Sequence, residues 1–279
     1  MDQPKGSSLN YREIDIFIYF KCGGVGAMSS TITVTGIGGI PEISTGDDLA
    51  MMIANAAREQ GTAIENNDVL VVTQKIVSKS EGAIVDLNDI TPSQLAEEFA
   101  TQYSKDPRHV EVVLRESKRI VRMDRGILIV ETKHGFVCAN AGVDASNVPG
   151  DEKLSLLPAD PNESARRLRE GLMLHLGCEV AVIISDTFGR PWRMGNTDVA
   201  IGTSGINPLR DYRGYVDPYG YPLTVSVAAI ADQIAGAAEL VAGKLDGVPA
   251  TVVKGYEYSV DGHATAQALV RDSAADLFR

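Results

Sequence analysis

Residues 181–214 read AVIISDTFGRPWRMGNTDVAIGTSGINPLRDYRG. The segment opens with four apolar residues, a pattern typical of a buried strand, and the polar residues Ser185, Asp186 and Thr187 follow directly. A turn rich in glycine and arginine comes next, at 189–193. A carboxylate and a hydroxyl at the end of an apolar strand suit a hard cation, and the arginines suit the anions that accompany it. The pattern predicts half of a metal–phosphate site in an enzyme.

The composition limits the class of protein. A chain of 279 residues, 44% of them hydrophobic, is long enough for one large domain or two small ones. A net charge of −11 argues against a nucleic-acid partner, and no apolar run has the length of a membrane span. The cysteines Cys22, Cys138 and Cys178 lack the spacing of a metal site, which favours reduced thiols. We therefore expect a cytoplasmic protein that binds neither nucleic acid nor a membrane.

The first 27 residues differ in character from the rest of the chain. Polar residues and the tract KCGGVG at 21–26 surround a short apolar stretch, and Met28 then opens an alternating, strand-like segment. We expect 1–27 to be a disordered N-terminal extension and 28–279 to be the folded domain. The alternative is an ordered edge strand at 14–20.

The remaining pattern mixes helices and strands without a regular βαβ period, which indicates an α+β fold. The apolar run at 69–72 predicts a buried strand. Asp160 with Pro161, and Gly177, predict the two ends of one helix. The pattern at 264–278 predicts an amphipathic terminal helix.

A second carboxylate, Asp144, lies in a polar loop that follows another apolar strand. If Asp144 and Asp186 converge, they would bind one or two Mg²⁺ or Mn²⁺ ions, and Thr187 would add a hydroxyl ligand. The alternative is that each aspartate only caps a turn.

Several cations accompany these carboxylates. Lys75 and Lys79 lie four residues apart after the strand at 69–72, where they would hold an anion or else form a solvated surface pair. Four arginines bracket the Gly-rich segment at 202–205, which favours a polyanionic substrate, with ordinary surface ion pairs as the alternative; they are Arg190, Arg193, Arg210 and Arg213. The sequence has no Walker lysine motif, no dinucleotide fingerprint and no GxSxG motif, so a nucleotide site would be of a different design.

With these residues in view, the chain resembles the coenzyme F420-0:L-glutamate ligase family from about residue 32 to 258. Seven segments carry the resemblance, in chain order: GIPEISTGDDL (39–49), DVLVVTQKIVSKSEG (68–82), NAGVDASNV (140–148), LLPADPNESARRLR (156–169), VIISDTFGRPWRMGNTDVAIG (182–202), DPYGYPL (217–223) and ADQIAGAAELVAGKLDGVPATVVKG (231–255). The tail at 263–278 is most similar to the two-domain actinobacterial version. A flavin-binding nitroreductase-like domain follows there, and we expect it to be absent from this chain.

The resemblance implies a GTP-dependent ligase that uses Mn²⁺ or Mg²⁺, with K⁺ assisting. Its substrates would be coenzyme F420-0 and L-glutamate, which it would join in γ-linkage through an acyl phosphate. The family also implies an unusual α+β fold and an intertwined homodimer.

The resemblance further implies roles for particular residues. Asp144, Asp186 and Thr187 would be metal ligands, and Asp144, Asp186, Lys79 and Arg190 are the expected catalytic residues. The expected GTP contacts are Ile40, Pro41, Glu42, Ile43, Gln74, Lys75, Lys79, Asn147, Ala242, Gly243, Lys244, Leu245, Asp246, Gly247, Val248 and Pro249. Two places depart from the archaeal pattern, since an apolar residue often replaces Glu42 and small hydroxyl residues replace Gln74 and Lys75.

Two other functions use the same residues. A metal-dependent nucleotide phosphohydrolase would direct the acidic and basic groups to attack by water. A non-catalytic deazaflavin-binding module would keep the fold without turnover. Phosphate release that depends on glutamate distinguishes the ligase from the phosphohydrolase.

Overall fold

A six-stranded sheet lies at the centre of the protein. The computed structural model describes residues 13–19, 29–146, 150 and 152–277. The strands run in the spatial order β1 (Glu13–Tyr19), β2 (Ser29–Ile37), β13 (Ala250–Lys254), β3 (Val69–Thr73), β9 (Ala181–Gly189) and β10 (Asn196–Ser204). All neighbours pair antiparallel except β3 and β9, which are parallel.

Smaller sheets and helices surround this sheet. The small sheets join β4 (Ile84–Asp86) to β8 (Lys153–Ser155), β5 (Ser117–Asp124) to β6 (Ile127–Thr132) and β7 (Val137–Ala139), and β11 (Leu209–Asp211) to β12 (Val227–Ala229). The α-helices of the described ranges are α1 (Leu49–Gln60), α2 (Gln74–Ser80), α3 (Gln94–Tyr103), α4 (Pro107–Glu116), α5 (Pro161–Leu176) and α6 (Ile230–Ala242). The mixed α+β class is confirmed. No helix of the described residues is long and apolar enough to cross a membrane.

Residues 69–72 of β3 and 181–184 of β9 are all apolar because helices cover both faces of the sheet there. On one face, Leu70 and Ile184 pack with residues of α1 and α5. On the other face, Val71 and Ile183 pack with residues of α6. Burial on both faces produces continuous apolar runs, which is how the sequence of β3 reads. A third apolar cluster joins α3 and α4 to β6.

Helix α5 begins and ends where the sequence predicts. The Asp160 side chain caps the helix by accepting the backbone N–H groups of Asn162 and Glu163, and Pro161 occupies the first turn. The helix ends at Gly177, which has a φ of 70°. Its buried residues include Leu168 and Leu172, which join the core under the sheet.

The two chain ends differ from expectation. Residues Glu13–Tyr19 pair antiparallel with β2, so this part of the expected extension is the edge strand considered as its alternative. The other residues of 1–27 lie outside the described ranges. The terminal helix predicted at 264–278 is wrong, because the described part of that segment contains only the 3₁₀ turns Ala266–Leu269 and Ser273–Ala275. Asn162 accepts the backbone N–H groups of Thr203 and Ala266, and these hydrogen bonds tie the segment to β10 instead.

Candidate active site

The predicted site residues converge at one edge of the central sheet. The register pairs Ala250, the first residue of β13, with Ile37 at the end of β2 and with Val72 of β3. Thr73, the last residue of β3, pairs with Ser185 of β9 in the parallel ladder. The loop after β2, the start of α2, the loop before β13 and residues 186–187 therefore all lie at this edge.

Asp186 lies inside β9 and not beyond its end. The prediction that the strand stops before Asp186 is wrong, because β10 pairs with β9 as far as Gly189. Burial raises the pKa of the Asp186 carboxyl to about 7. The backbone N–H of Thr187 opposes this rise, and the negative charge of Asp198 adds to it. A carboxyl group with so high a pKa is a common feature of functional sites.

Asp144 lies near Asp186 and is held by Lys75. The Lys75 Nζ atom lies 2.6 Å from the Asp144 Oδ2 atom, and the Ser146 backbone N–H and hydroxyl also donate to this carboxylate. Burial by itself would raise the pKa of Asp144, but the hydrogen bonds from Lys75 and Ser146 hold it below its usual value. The positive charge of Lys75 opposes the rise in the pKa of Asp186 and the negative charge of Asp144 adds to it, so both groups lie close enough to affect its ionisation.

Helix α2 places Lys75 and Lys79 on one side, since side chains four residues apart lie on the same helix face. The Lys79 side chain is only 9% exposed, and its Nζ atom lies 2.5 Å from the carboxylate of Glu42, whose side chain is 66% exposed. Lys79 is therefore not a solvated surface residue. Gln74 is buried and donates its side-chain amide to the Leu156 carbonyl oxygen and the hydroxyl of Ser78, so it also holds the helix in place.

Comparisons with known proteins identify the family of the chain. The family model described as F420-0:Gamma-glutamyl ligase matches residues 38–255. The chain belongs to this ligase family. It is 43% identical over 89% of its length to the coenzyme F420:L-glutamate ligase of Methanothermobacter thermautotrophicus, of which it covers 99%. It is 45% identical over 85% of its length to the ligase of that name from Methanopyrus kandleri, of which it covers 94%.

The two expected nucleotide loops of this F420-0:gamma-glutamyl ligase family member both reach the same edge. In the first loop, Glu42 faces Lys79 while Ile43 is buried in the core. In the second, 242–249, Lys244 reaches Thr187, and Leu245 is 97% exposed. Asn147, another expected GTP contact, lies outside the described residues. The GTP contacts themselves stay predictions.

The donor set fits a hard divalent cation. Asp144 and Asp186 offer carboxylate oxygens, the ligand atoms that Mg²⁺ and Mn²⁺ prefer. The Thr187 hydroxyl points to the opposite face of β9, where it donates to Asp198, so its role as a metal ligand stays a prediction. In the described ranges, no group of three or more histidine, cysteine, aspartate or glutamate side chains is placed to hold a metal. Mg²⁺ commonly takes only one or two carboxylates and completes its shell with water and phosphate oxygens, so two are sufficient.

The arginines of the ligase are largely engaged within the protein. Arg190 donates to the carbonyl oxygens of residues 194 and 195 and so closes the tip of the β9–β10 hairpin. Arg213 forms a bidentate ion pair with Asp211, and the Arg210 guanidinium lies 5.2 Å from the centre of the Tyr212 ring. The ion-pair alternative is therefore correct for Arg213. The catalytic role of Arg190 stays a prediction.

Two acidic residues of the site were missed by the sequence reasoning. Asp198 is buried on β10 opposite Thr187, and Glu239 of α6 accepts the Asp198 backbone N–H at 2.8 Å. Asp198 left little local signal, because 196–198 are three consecutive polar residues and 199–201 are three consecutive apolar ones, so the polar and apolar residues do not alternate as in a half-buried strand. Recognising the β9–β10 hairpin would have placed Asp198 beside Thr187. Glu239 left no local signal, since its position depends on helix packing.

Proposed function

We propose that this protein is the GTP- and divalent-metal-dependent ligase that adds L-glutamate to coenzyme F420-0 through γ-linkages. The observation that carries the proposal is the meeting of Asp144, Asp186, Lys75 and Lys79 at one sheet edge in a member of a ligase family. Two carboxylates and two ammonium groups suit the transfer of a phosphoryl group, in which positioning and charge supply most of the catalysis.

The proposed reaction has two steps. The γ-phosphoryl group of GTP is transferred to the terminal carboxylate of F420-0, which gives an acyl phosphate and GDP. The amine of L-glutamate then attacks the acyl carbon, the C–N bond forms, the C–O bond breaks and phosphate leaves, while the amine gives its proton to solvent. No protein nucleophile is required, which agrees with a buried Cys138 whose pKa burial raises to about 12.

The side chains have distinct proposed parts in this reaction. Asp144, Asp186 and Thr187 hold Mn²⁺ or Mg²⁺, which neutralises charge on the transferring phosphoryl group when it is bound. Lys75 and Lys79 orient phosphate oxygens, and each must then exchange its present carboxylate partner for an anionic substrate. The loop 242–249 closes over the nucleotide, and K⁺ assists.

Phosphate release tests this proposal against hydrolysis. With GTP, Mn²⁺ and F420-0 present, release should be slow until L-glutamate is added. Asp186→Asn should abolish phosphate release both with and without L-glutamate in a folded protein. Asp89→Asn, at an exposed position, should leave both rates of release unchanged. Equal release with and without glutamate would favour the phosphohydrolase. No release in any mixture would favour the binding module.

We also propose that the ligase forms a homodimer. The segment that joins β11 to β12 exposes several large apolar side chains, among them Tyr219 at 96% and Val225 at 85%. Exposed apolar surface of this kind is typical of protein–protein interfaces. Sedimentation equilibrium tests the proposal, and a monomer at all protein concentrations would refute it.

The proposed location is the cytoplasm. Cys138 and Cys178 are buried free thiols in the described part of the chain, and their burial raises the pKa of each. Free thiols are usual where the medium is reducing. Cell fractionation with detection of the protein would test the location.

A further inference from the structure

The β9–β10 hairpin projects beyond the central sheet at the edge where the candidate site lies. The ladder between β3 and β9 ends at Thr73 and Ser185, whereas β9 stays paired with β10 as far as Gly189. A strand rises about 3.3 Å per residue, so the hairpin extends about 10 Å from Asp186 to Gly189 before the chain turns. The hairpin tip, residues 190–195, is therefore placed to contact the far end of a long substrate whose near end reacts at Asp186.

One face of the hairpin is apolar and aromatic. Side chains two residues apart on a strand share a face, so Phe188 lies on the same face as Asp186. Val199 is paired with Asp186 in the ladder and shares this face. The ring centre of Phe136 lies 6.1 Å from that of Phe188, and both residues are half-buried. An apolar surface therefore leads from the candidate catalytic carboxylate towards the hairpin tip.

The hairpin tip carries a tryptophan that folding does not explain. Trp192 is the only tryptophan of the sequence, and it is 81% exposed. Its φ is 59°, in the left-handed region that glycine and asparagine adopt more readily than a bulky residue. A side chain so exposed adds little to the core, and this backbone conformation lowers stability. A ligand that packs on the indole would account for tryptophan at this position.

Two arginines accompany Trp192 in the hairpin tip. Arg190 donates to the carbonyl oxygens of Met194 and Gly195, which fixes the shape of the turn. Arg193 is exposed, and no hydrogen bond or ion pair joins its guanidinium to another side chain in the ranges that the structure describes. In a protein with a net charge of −11, such an arginine is suited to an anionic group of a ligand.

We propose that the hairpin tip is the subsite for the far end of the acceptor, where the indole of Trp192 stacks on the deazaflavin ring and Arg193 pairs with the phosphodiester. This inference rests on the proposed function, since the acceptor is F420-0. The reacting carboxylate lies beside Asp186, and the phosphodiester and the ribityl chain separate it from the planar ring. The long side chain of Arg193 can turn towards the phosphodiester, which lies between the carboxylate and the ring.

The test is the binding of F420-0 by the full chain, measured from the fluorescence anisotropy of the deazaflavin. Mn²⁺ and a GTP analogue that cannot transfer its γ-phosphoryl group are present, so no turnover is needed. Trp192→Asn removes the ring and suits the backbone, because asparagine tolerates a positive φ. It should weaken F420-0 binding about tenfold, the effect of one stacking contact, without lowering the midpoint of thermal unfolding.

Two control variants accompany this measurement. Trp192→Phe keeps an aromatic face and should bind F420-0 within about threefold of the unchanged protein. Leu174→Ala replaces a residue that is as exposed as Trp192 but lies on α5, and it should leave the dissociation constant unchanged.

A second ligand separates the two proposed contacts. The ribityl deazaflavin that lacks the phosphodiester and the carboxylate keeps only the ring and its sugar chain. Trp192→Asn should weaken the binding of this ligand as much as that of F420-0. Arg193→Gln should weaken F420-0 binding about tenfold and leave the smaller ligand unaffected. Equal effects of Arg193→Gln on the two ligands, or none on either, would overturn the phosphodiester contact.

The outcomes also distinguish this inference from the proposed function. An unchanged F420-0 dissociation constant in Trp192→Asn would overturn the stacking role alone, and so would equal losses in Trp192→Asn and Trp192→Phe. A shift of Trp192→Asn towards monomer in sedimentation, with F420-0 binding unchanged, would show that a second copy of the chain covers the hairpin tip instead. Absence of F420-0 binding by the unchanged, folded protein would overturn the acceptor of the proposed function as well.

Discussion

Replacing Asp186 by asparagine should stabilise the folded protein while it abolishes turnover. Burial raises the pKa of this carboxyl from 3.8 to about 7, and Asp198 and Asp144 add to the rise although Lys75 opposes it. The folded state thus holds the proton more tightly than the unfolded state. Ionisation of Asp186 therefore lowers stability as the pH increases from about 4 to about 7. Asparagine cannot ionise, so the variant lacks this cost.

The expected gain follows from the two pKa values. Each factor of ten in proton affinity corresponds to about 1.4 kcal/mol. At pH 8.5, above both pKa values, the full difference between them contributes to stability. The free energy of unfolding of Asp186→Asn should then be higher by about 4 kcal/mol. At pH 5.5 only the interval between the unfolded pKa of 3.8 and the pH contributes, so the increase in the free energy of unfolding should be about 2 kcal/mol.

The assay is urea unfolding of both proteins at the two pH values, with a chelator present to keep metal from the site. Asp89→Asn serves as the control, because Asp89 is exposed and its replacement should have the same small effect at both pH values. The reasoning would be refuted by a variant that is no more stable at pH 8.5, or whose advantage does not grow between pH 5.5 and 8.5.

Three further outcomes are expected. Lys79→Ala should raise the GTP concentration for half-maximal turnover about tenfold, since a charged hydrogen bond is lost; an unchanged GTP titration would count against its phosphate role. Gly202→Ala should destabilise the protein by about 1–3 kcal/mol in thermal unfolding, because its Cβ would lie only 2.2 Å from a backbone oxygen in the first turn of α5, whereas Gly189→Ala meets nothing within 4 Å. Leu172→Ala, at a fully buried position, should cost about 2–5 kcal/mol in urea unfolding. Leu174→Ala, at a side chain 81% exposed, should cost less than about 0.5 kcal/mol; equal losses at the two leucines would contradict the packing of α5.

The parts of the fold that short-range chemistry decides could be predicted from the sequence. The ends of α5 follow from the cap at Asp160 and the glycine at 177, and the buried strand β3 follows from its apolar run. The hairpin of β9 and β10 was not predicted, because the polar residues Ser185, Asp186 and Thr187 follow the apolar run directly and resemble the end of a strand. The prediction of the terminal helix failed for a different reason, since the Ala266 backbone N–H donates to the Asn162 side chain, and this tertiary contact outweighs the weak helix preference of the segment.

The candidate site shows the same division. Asp144, Asp186, Lys75 and Lys79 are residue types whose chemistry is visible in the sequence, and Lys75 contacts Asp144 while Lys79 contacts Glu42. Their roles stay predictions. The partners of each could not be predicted. Asp198 reaches Lys244 across 46 residues of sequence, and only the packing of α6 against β10 brings them together.

The most direct measurement is a mass-spectrometric assay of the protein with F420-0, L-glutamate, GTP and Mn²⁺. We predict a product heavier than F420-0 by one or more glutamyl units, formed only when GTP and the metal are both present. The mass also counts the glutamates added. Consumption of GTP without any glutamyl product, or no reaction at all by the folded protein, would contradict the proposed ligase activity.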